Sequence, residues 1–315
     1  METKWLYHYR KMPLEPNTIV GKYKVGKLVG FGGFADVYNV KKLDGSLKGK
    51  FVLKKILLKN PRGESREQMI RKEIRMLRAV SPLENFPTLV DNFRLGDSIC
   101  LVMSKEYADF HDLLDKNPKL SFTMTTVQKI GYKVVENLRA LHELGIMHRD
   151  IKRENICIRD TSGNAKVVII DFGIAKKFLN AAGVRLPPRV DERQRFDRLP
   201  YSSVEVLQTN INGENDDIIM ACYALAEFRG LYGVVNDDDP AINLTKKLEM
   251  KRDPHSFFGD RHRSLADVFQ IVHAQPRFET PNYEAILESI KNMVPGFDPN
   301  EQWSWRWSEG MYTLV

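Results

Sequence analysis

The hydrophobic period of this sequence changes about a third of the way along, and that change narrows the folds open to it more than any other feature. Over residues 23–56 the apolar positions alternate in short runs broken by glycine, "YKVGKLVGFGGFADVYNVKK" and then "GKFVLKKILL". A period of two interrupted by glycine predicts antiparallel strands joined by turns. The stretch "SREQMIRKEIRMLRAV" then sets Met69, Ile70, Ile74, Leu77 and Val80 on one stripe, the pattern of an amphipathic helix with Ser65 as its candidate cap. Two more strands are expected over 88–93 and 98–103. Beyond Tyr107 the period becomes helical, first in the long "SFTMTTVQKIGYKVVENLRALHELG" and again near 216–229, 263–274 and 281–293. One hairpin interrupts it, with "NICI" and "KVVII" flanking the polar turn "RDTSGNAK". The expected architecture is α+β: a small β-rich N-terminal lobe followed by a larger α-helical C-terminal lobe.

A chain of 315 residues with 43% hydrophobic and 28% charged residues can bury a full core. No apolar run approaches the roughly 18 residues of a membrane span, and "METKWLYHYRK" lacks the apolar stretch of a secretory signal. Cys100, Cys157 and Cys222 are far apart among apolar neighbours, which suits buried free thiols in a reducing compartment and argues against a disulfide frame or zinc site. A cytoplasmic protein is expected, with the nucleus as the other candidate compartment, no membrane attachment, and a monomer favoured. The net charge of +7 is uneven, because residues 1–103 hold 20 Lys and Arg against 10 Asp and Glu. Such a basic region is either a solvated lysine-rich surface or a face for nucleic acid, an acidic protein or a phosphorylated ligand. No nucleic-acid recognition motif accompanies it, so no specific nucleic-acid partner is expected.

Four short motifs carry chemistry. In "GFGGFADVY", Gly30, Gly32 and Gly33 form either a plain turn or a loop whose backbone N–H groups approach phosphate oxygens. In "FVLKK", a lysine ending an apolar strand is either a surface group or a buried cation that needs a partner, for which Glu73 is placed. "IMHRDIKRENICI" crowds Asp150, Lys152 and Asn155 at offsets of two and three, which fits no single helical face and suits a loop converging on one centre. In "VVIIDFGIA", Asp171 ends an apolar run; alone it marks a turn, but its carboxylate and the Asn155 amide oxygen are the hard donors Mg²⁺ prefers.

Taken in order, the glycine loop at Gly30, Lys54, Glu73, "HRDIKREN" and "DFG" resemble the protein kinase signature set. The resemblance implies a kinase domain over 23–295, divided into an N-lobe (23–103), a hinge (104–106) and a C-lobe (107–295). An N-terminal extension (1–22) would precede it and a Trp-rich tail (296–315) would follow. It also implies ATP and Mg²⁺ as cofactors and protein substrates as partners. Lys54 would hold the α and β phosphates, fixed by Glu73, while Asn155 and Asp171 would hold the metal. Asp150 would take or orient the proton of the attacking hydroxyl, and Lys152 would neutralise the transferring phosphoryl group. Gly30, Phe31, Gly32, Gly33, Phe34, Val37 and Val52 would enclose the nucleotide, with Met103 as gatekeeper and Ser104 and Glu106 in the hinge. A lysine two places after Asp150 resembles serine/threonine kinases.

"LPYSSVEVL", "DDIIMACYALAEF" and "PNYEAILESI" are similar to segments of the casein kinase 1 superfamily, and "LPPRV" looks most like its tau-tubulin kinase branch. Departures stand beside these matches. Ala35 replaces a usual glycine, and Lys55 leaves the phosphate lysine open to a shift of one residue. Lys105 is an unusual hinge residue whose side chain is expected to face solvent. Glu214 and Asn215 stand where relatives have anion-holding basic residues. Residues 174–200 contain no Ser, Thr or Tyr, yet carry seven basic residues against Asp191, Glu192 and Asp197. Those cations either pair with the acids and solvent or receive an acidic or phosphorylated substrate. In the tail, "WSWRW" fits a strand, a partner-binding segment or a flap packed on the helical lobe. The rival to catalysis is a pseudokinase acting as an interaction scaffold.

Overall fold

A computed structural model describes residues 13–32, 35–60, 63–106, 108–161, 164–191, 196, 200–232, 239–308 and 311–314. The chain divides into two compact units, Met1–Glu106 and Tyr107–Val315.

In the first unit, alternation has produced a six-stranded antiparallel sheet from β1 (Ile19–Val20), β2 (Tyr23–Phe31), β3 (Ala35–Lys42), β4 (Phe51–Leu57), β5 (Leu89–Leu95) and β6 (Ser98–Ser104). The strands run in the order β1-β2-β3-β4-β6-β5. Tyr38 faces Leu53 and Leu53 faces Val102 across the ladders, so these three share one face and are fully buried there. Each such side chain contributes about 1.5–3 kcal/mol by leaving water. Because side chains alternate, Val37, Val52, Lys54 and Met103 fall together on the opposite face, where Val37 pairs with Lys54 and Val52 with Met103.

Helix α1 (Glu67–Val80) buries Ile70, Glu73, Ile74, Met76, Leu77 and Val80. Two expectations for it fail. Met69, in the first turn, is 42% exposed, whereas Met76, seven residues on and so on the same side of the helix, is buried. Ser65 does not cap the helix: Arg66 holds the cap position, and the Ser65 hydroxyl reaches only the Glu67 N–H, at 3.4 Å.

The second unit begins with β7 (Ala108–Asp109), α2 (Phe110–Asp115) and α3 (Met124–Glu143). Thr123 caps α3 by accepting from the Thr126 N–H at 3.1 Å. After β8 (Ile146–Met147), the hairpin expected from the sequence forms as β9 (Ile156–Thr161) and β10 (Asn164–Ile169), with Ile156 opposite Ile169. Then come β11 (Lys176–Lys177), α4 (Val204–Thr209), α5 (Glu214–Phe228), α6 (Pro240–Arg252), α7 (Pro254–Phe258), α8 (Arg263–His273) and α9 (Tyr283–Lys291). Every residue of α5 is buried, which explains why, after the opening "ENDD", its sequence is apolar nearly all round rather than striped. Two glycines permit this. A Cβ on Gly131 of α3 would sit 2.8 Å from Leu225, and one on Gly213 would sit 1.9 Å from the Arg277 carbonyl oxygen.

The tail closes on this unit as a hairpin of β12 (Trp305–Ser308) and β13 (Met311–Leu314). Trp303 is buried and its carbonyl accepts from the Ala165 N–H at 2.7 Å. The Trp305 ring meets Phe110 and Phe122 edge-on at 5.8 and 5.9 Å, and Asn117 exchanges two hydrogen bonds with the backbone of Tyr312. Only Trp307, 55% exposed, faces water. The segment is therefore both a strand pair and a packed flap.

Candidate functional site

In the first unit the candidate residues gather on the non-core face of the sheet. Lys54 projects from it and donates to Glu73 Oε1 of α1 at 2.8 Å, the two side chains being 17% and 7% exposed. Lys55 lies on the other face, opposite Asp36 and Cys100, so the two adjacent lysines cannot exchange roles. Gly30 and Phe31 end β2, and the Gly32 N–H donates to Ala35 at 2.8 Å, closing the hairpin. Gly33 and Phe34 lie outside the described residues. At the end of β6 the Ser104 and Lys105 N–H groups are committed to the Thr88 and Lys50 carbonyls, and the Ser104 hydroxyl donates to Glu106. The Lys105 side chain does not face solvent as expected. It turns back to donate to Asn39 Oδ1 at 2.8 Å, a fixed acceptor within reach of its long stem.

The second unit carries a more tightly built cluster. The loop after β8 holds Arg149 at φ 70°, and Asp171 after β10 has φ 68°. Such left-handed backbone in non-glycine residues costs about 1–3 kcal/mol each and persists only where neighbours enforce it. Asp217, in the first turn of α5, does so by accepting the His148 and Arg149 N–H groups, both at 2.7 Å, and His142 Nε2 at 2.9 Å. Although burial opposes its charge, these donors hold the Asp217 carboxyl below its ordinary range.

His148 makes a second brace. The Ile170 carbonyl can only accept, so Nε2 donates to it at 3.0 Å, and Nδ1 is left to accept the Asp150 N–H at 3.3 Å. Full burial keeps this ring neutral by pushing its pKa down. Ile170 also donates its N–H to the Asn155 carbonyl at 2.9 Å. The β9–β10 hairpin thereby brings Asn155 and Asp171 together from positions sixteen residues apart.

At the centre, Asp150 Oδ2 accepts from Lys152 Nζ and from Asn155 Nδ2, both at 2.9 Å. Burial pushes the Asp150 carboxyl up from its ordinary value, and Lys152 pulls it back only in part. Burial disfavours the Lys152 ammonium too, but the Asp150 charge outweighs that and raises it. Asn155 Nδ2 donates again to the Asp150 carbonyl at 2.7 Å, which fixes the amide so that Oδ1 points away from both bonds. The arrangement is a desolvated carboxylate beside a cation, with an amide oxygen near the exposed Asp171, chemistry that suits proton transfer, charge neutralisation and hard-cation binding. Among the described residues no group of three or more His, Cys, Asp or Glu forms a metal cage.

Several supports were not legible as site residues. Asp217 is the chief one, and its signal was an acid pair opening an otherwise apolar helix. Lys247 is another, buried from α6 and donating to the Pro200 and Ser202 carbonyls. Asp216 accepts from Ser203 and the Gly213 N–H and pairs with Arg277 at 3.3 Å, while Glu214 takes both ends of Arg185.

Comparison with known proteins gives a consistent result. Residues 23–243 match the protein kinase domain. The chain is 26% identical over 67% of its length to a probable serine/threonine-protein kinase of Dictyostelium discoideum, of which it spans 41%. It is 28% identical to a probable casein kinase I homolog of Encephalitozoon cuniculi, covering 86% of this chain and 84% of that one. The structure of vaccinia related kinase 3 superposes with a TM-score of 0.73 at 16% identity, covering 92% of this chain and 94% of that one.

Proposed function

Because the chain belongs to the protein kinase family, we propose that it is a serine/threonine protein kinase of casein kinase 1 type, transferring the γ-phosphate of ATP to Ser or Thr hydroxyls of proteins. The observation that carries this reading is the Asp150–Lys152–Asn155 cluster, with each side chain held by the others and the loop fixed from below by Asp217. Asp150 orients the substrate hydroxyl and takes its proton as that oxygen bonds to phosphorus and the bond to ADP breaks. Its raised pKa makes it a better base than an exposed aspartate. Lys152 stabilises negative charge on the phosphoryl group as it moves. Lys54, kept in place by Glu73, binds the α and β phosphates, and Val37, Val52 and Met103 supply an apolar face for adenine.

The donor set suits Mg²⁺. Asn155 Oδ1 is freed for it by the two bonds its amide nitrogen makes, and the Asp171 carboxylate is a second hard oxygen. When bound, the metal would neutralise phosphate charge, these two residues holding it.

The casein kinase 1 assignment is supported by the Encephalitozoon relative and by the "LPYSSVEVL" and "PNYEAILESI" segments, and "LPPRV" favours the tau-tubulin kinase branch. A preference for acidic or pre-phosphorylated substrates is supported by a cavity of about 330 Å³ in the second unit, lined by Lys176, Arg189, Asn212 and Gly213 among others. Arg185 there is neutralised by Glu214, but Lys176 and Arg189 make no ion pair among the described residues. The Asn212 amide has buried N and O atoms without a hydrogen-bond partner. Arg193, Arg195 and Arg198 lie outside the described residues.

Incubation with labelled ATP, Mg²⁺ and casein tests the activity. Transfer by the wild type that vanishes in Asp150→Asn supports it, and equal signals from the two leave the pseudokinase scaffold as the better reading. An acidic peptide should serve better than a neutral one, and Arg189→Glu should reduce that preference.

A further inference from the structure

We propose that Asp191 is a positioning residue that does permanently, through its own carboxylate, what an added phosphate does in kinases switched on by phosphorylation: it neutralises the buried Arg149 and thereby fixes the segment following Asp171. The inference rests on the phosphotransferase reading above and adds a residue to it.

Arg149 stands next to Asp150 and its side chain is 3% exposed. Its Nε and Nη2 both donate to the Ile174 carbonyl, at 2.8 and 2.5 Å, and its guanidinium lies 4.8 Å from the centre of the Phe196 ring. Those contacts leave the charge itself uncompensated, and a buried cation without a counter-charge is strongly destabilising. Nη1 meets that need by donating to Asp191 Oδ2 at 2.7 Å, the one ion pair Arg149 makes among the described residues. Half-buried Lys176 and then Arg189 add positive charge nearby, so the site selects an anion.

Asp191 is also held by its backbone. Its N–H donates to the Asn210 carbonyl at 3.2 Å, and Asn210 Nδ2 donates to the Asp191 carbonyl at 2.8 Å. The same asparagine accepts the Phe196 N–H at 3.1 Å from its left-handed position at the end of α4. One arginine therefore joins the Asp150 loop, the residues just after Asp171, and Asp191. A phosphate on an activation segment orders it by the same charge-assisted pairing with arginine. Residues 174–200 have no hydroxyl to phosphorylate, and Asp191 makes one unnecessary.

The test uses full-length protein made in bacteria, treated with phosphatase and shown by intact mass to carry no phosphate. The wild type should be active in that state. Asp191→Asn, which keeps the shape and removes the charge, should lower kcat about 10- to 100-fold while KM for ATP stays within about threefold. Asp191→Glu should restore most of the loss. Asp191→Ser should be impaired and phosphoserine installed at 191 should rescue it, a comparison that remains decisive if Asp191→Asn fails to fold. With Arg149→Ala already present, Asp191→Asn should lower kcat no further. Asp191→Asn with unchanged kcat, even with a lowered Tm, or phosphoserine no better than serine at 191, overturns the inference while leaving the phosphotransferase reading intact. A wild type no more active than Asp150→Asn overturns that reading and this inference together.

Discussion

Lys54 meets Glu73 across the first unit's sheet face, beside a glycine hairpin whose Phe31 is 71% exposed. Asp150 belongs to a loop braced by Asp217, His148, Arg149 and Asn155, each making two or more hydrogen bonds within the second unit. The contrast follows from the kind of element each group stands on. Either proposed role needs its side chain fixed to about half an ångström, but Asp150 stands on a loop that has to be braced from several sides, whereas Lys54 projects from a strand already held by ladders on both edges. The candidate site of the second unit therefore includes two left-handed non-glycine residues, Arg149 and Asp171, and a buried polar network, while in the first unit Lys54 is paired with Glu73.

The comparison can be broken most sharply at Asp150. Asp150→Asn should reduce kcat by about 10²- to 10⁴-fold with ATP affinity nearly unchanged, read by steady-state kinetics beside equilibrium nucleotide binding. Because burial raises the carboxyl and catalysis needs it deprotonated, the acid limb of kcat/KM should lie above the ordinary aspartate value of about 3.9. Lys152→Ala removes the group that pulls it down, so the limb should move further up.

Asp217→Ala strikes the brace and not the chemistry. It leaves two backbone N–H groups and His142 without their buried acceptor and should cost about 3–5 kcal/mol, measured by urea unfolding. In the first unit, Lys54→Met should lower kcat/KM about 100-fold and Lys55→Met hardly at all. Lys54→Met also takes the lysine partner from the buried Glu73 carboxyl, so stability should fall too, but by less than in Asp217→Ala, where three donors lose one acceptor; an equal loss erases the contrast between the units. The smallest effect should come from Asn117→Ala, which gives up the bonds to Tyr312 and should cost about 1 kcal/mol in urea with kcat unchanged.

What the sequence disclosed about these regions depended on range. The strand and helix periods of β2 to β6, α1 and α3 are local, and they appear where alternation and the 3.6 stripe put them. The loop residues Asp150, Lys152 and Asn155 are five positions apart at most, so their crowding was visible. Asp217 was not, because its partners lie 68 and 69 residues away and nothing local says which acid of "ENDD" will face them. The short helices α2, α4 and α7 were missed for another reason: at five or six residues they complete too few turns to display a stripe. Lys105 turns inward although a lone lysine suggests solvent, because its fixed acceptor, Asn39, comes from a strand 66 residues earlier.

The tail hairpin has a bearing on how the molecule is made. Asn117 waits for Tyr312 across 195 residues, and Phe110 and Phe122 wait for Trp305. During synthesis those rings have each other and Phe228 to pack against but lack Trp305 until the hairpin emerges, although α2 and α3 were produced long before. The second unit should therefore complete its folding only late in translation, with an aromatic surface open to chaperones in the interval.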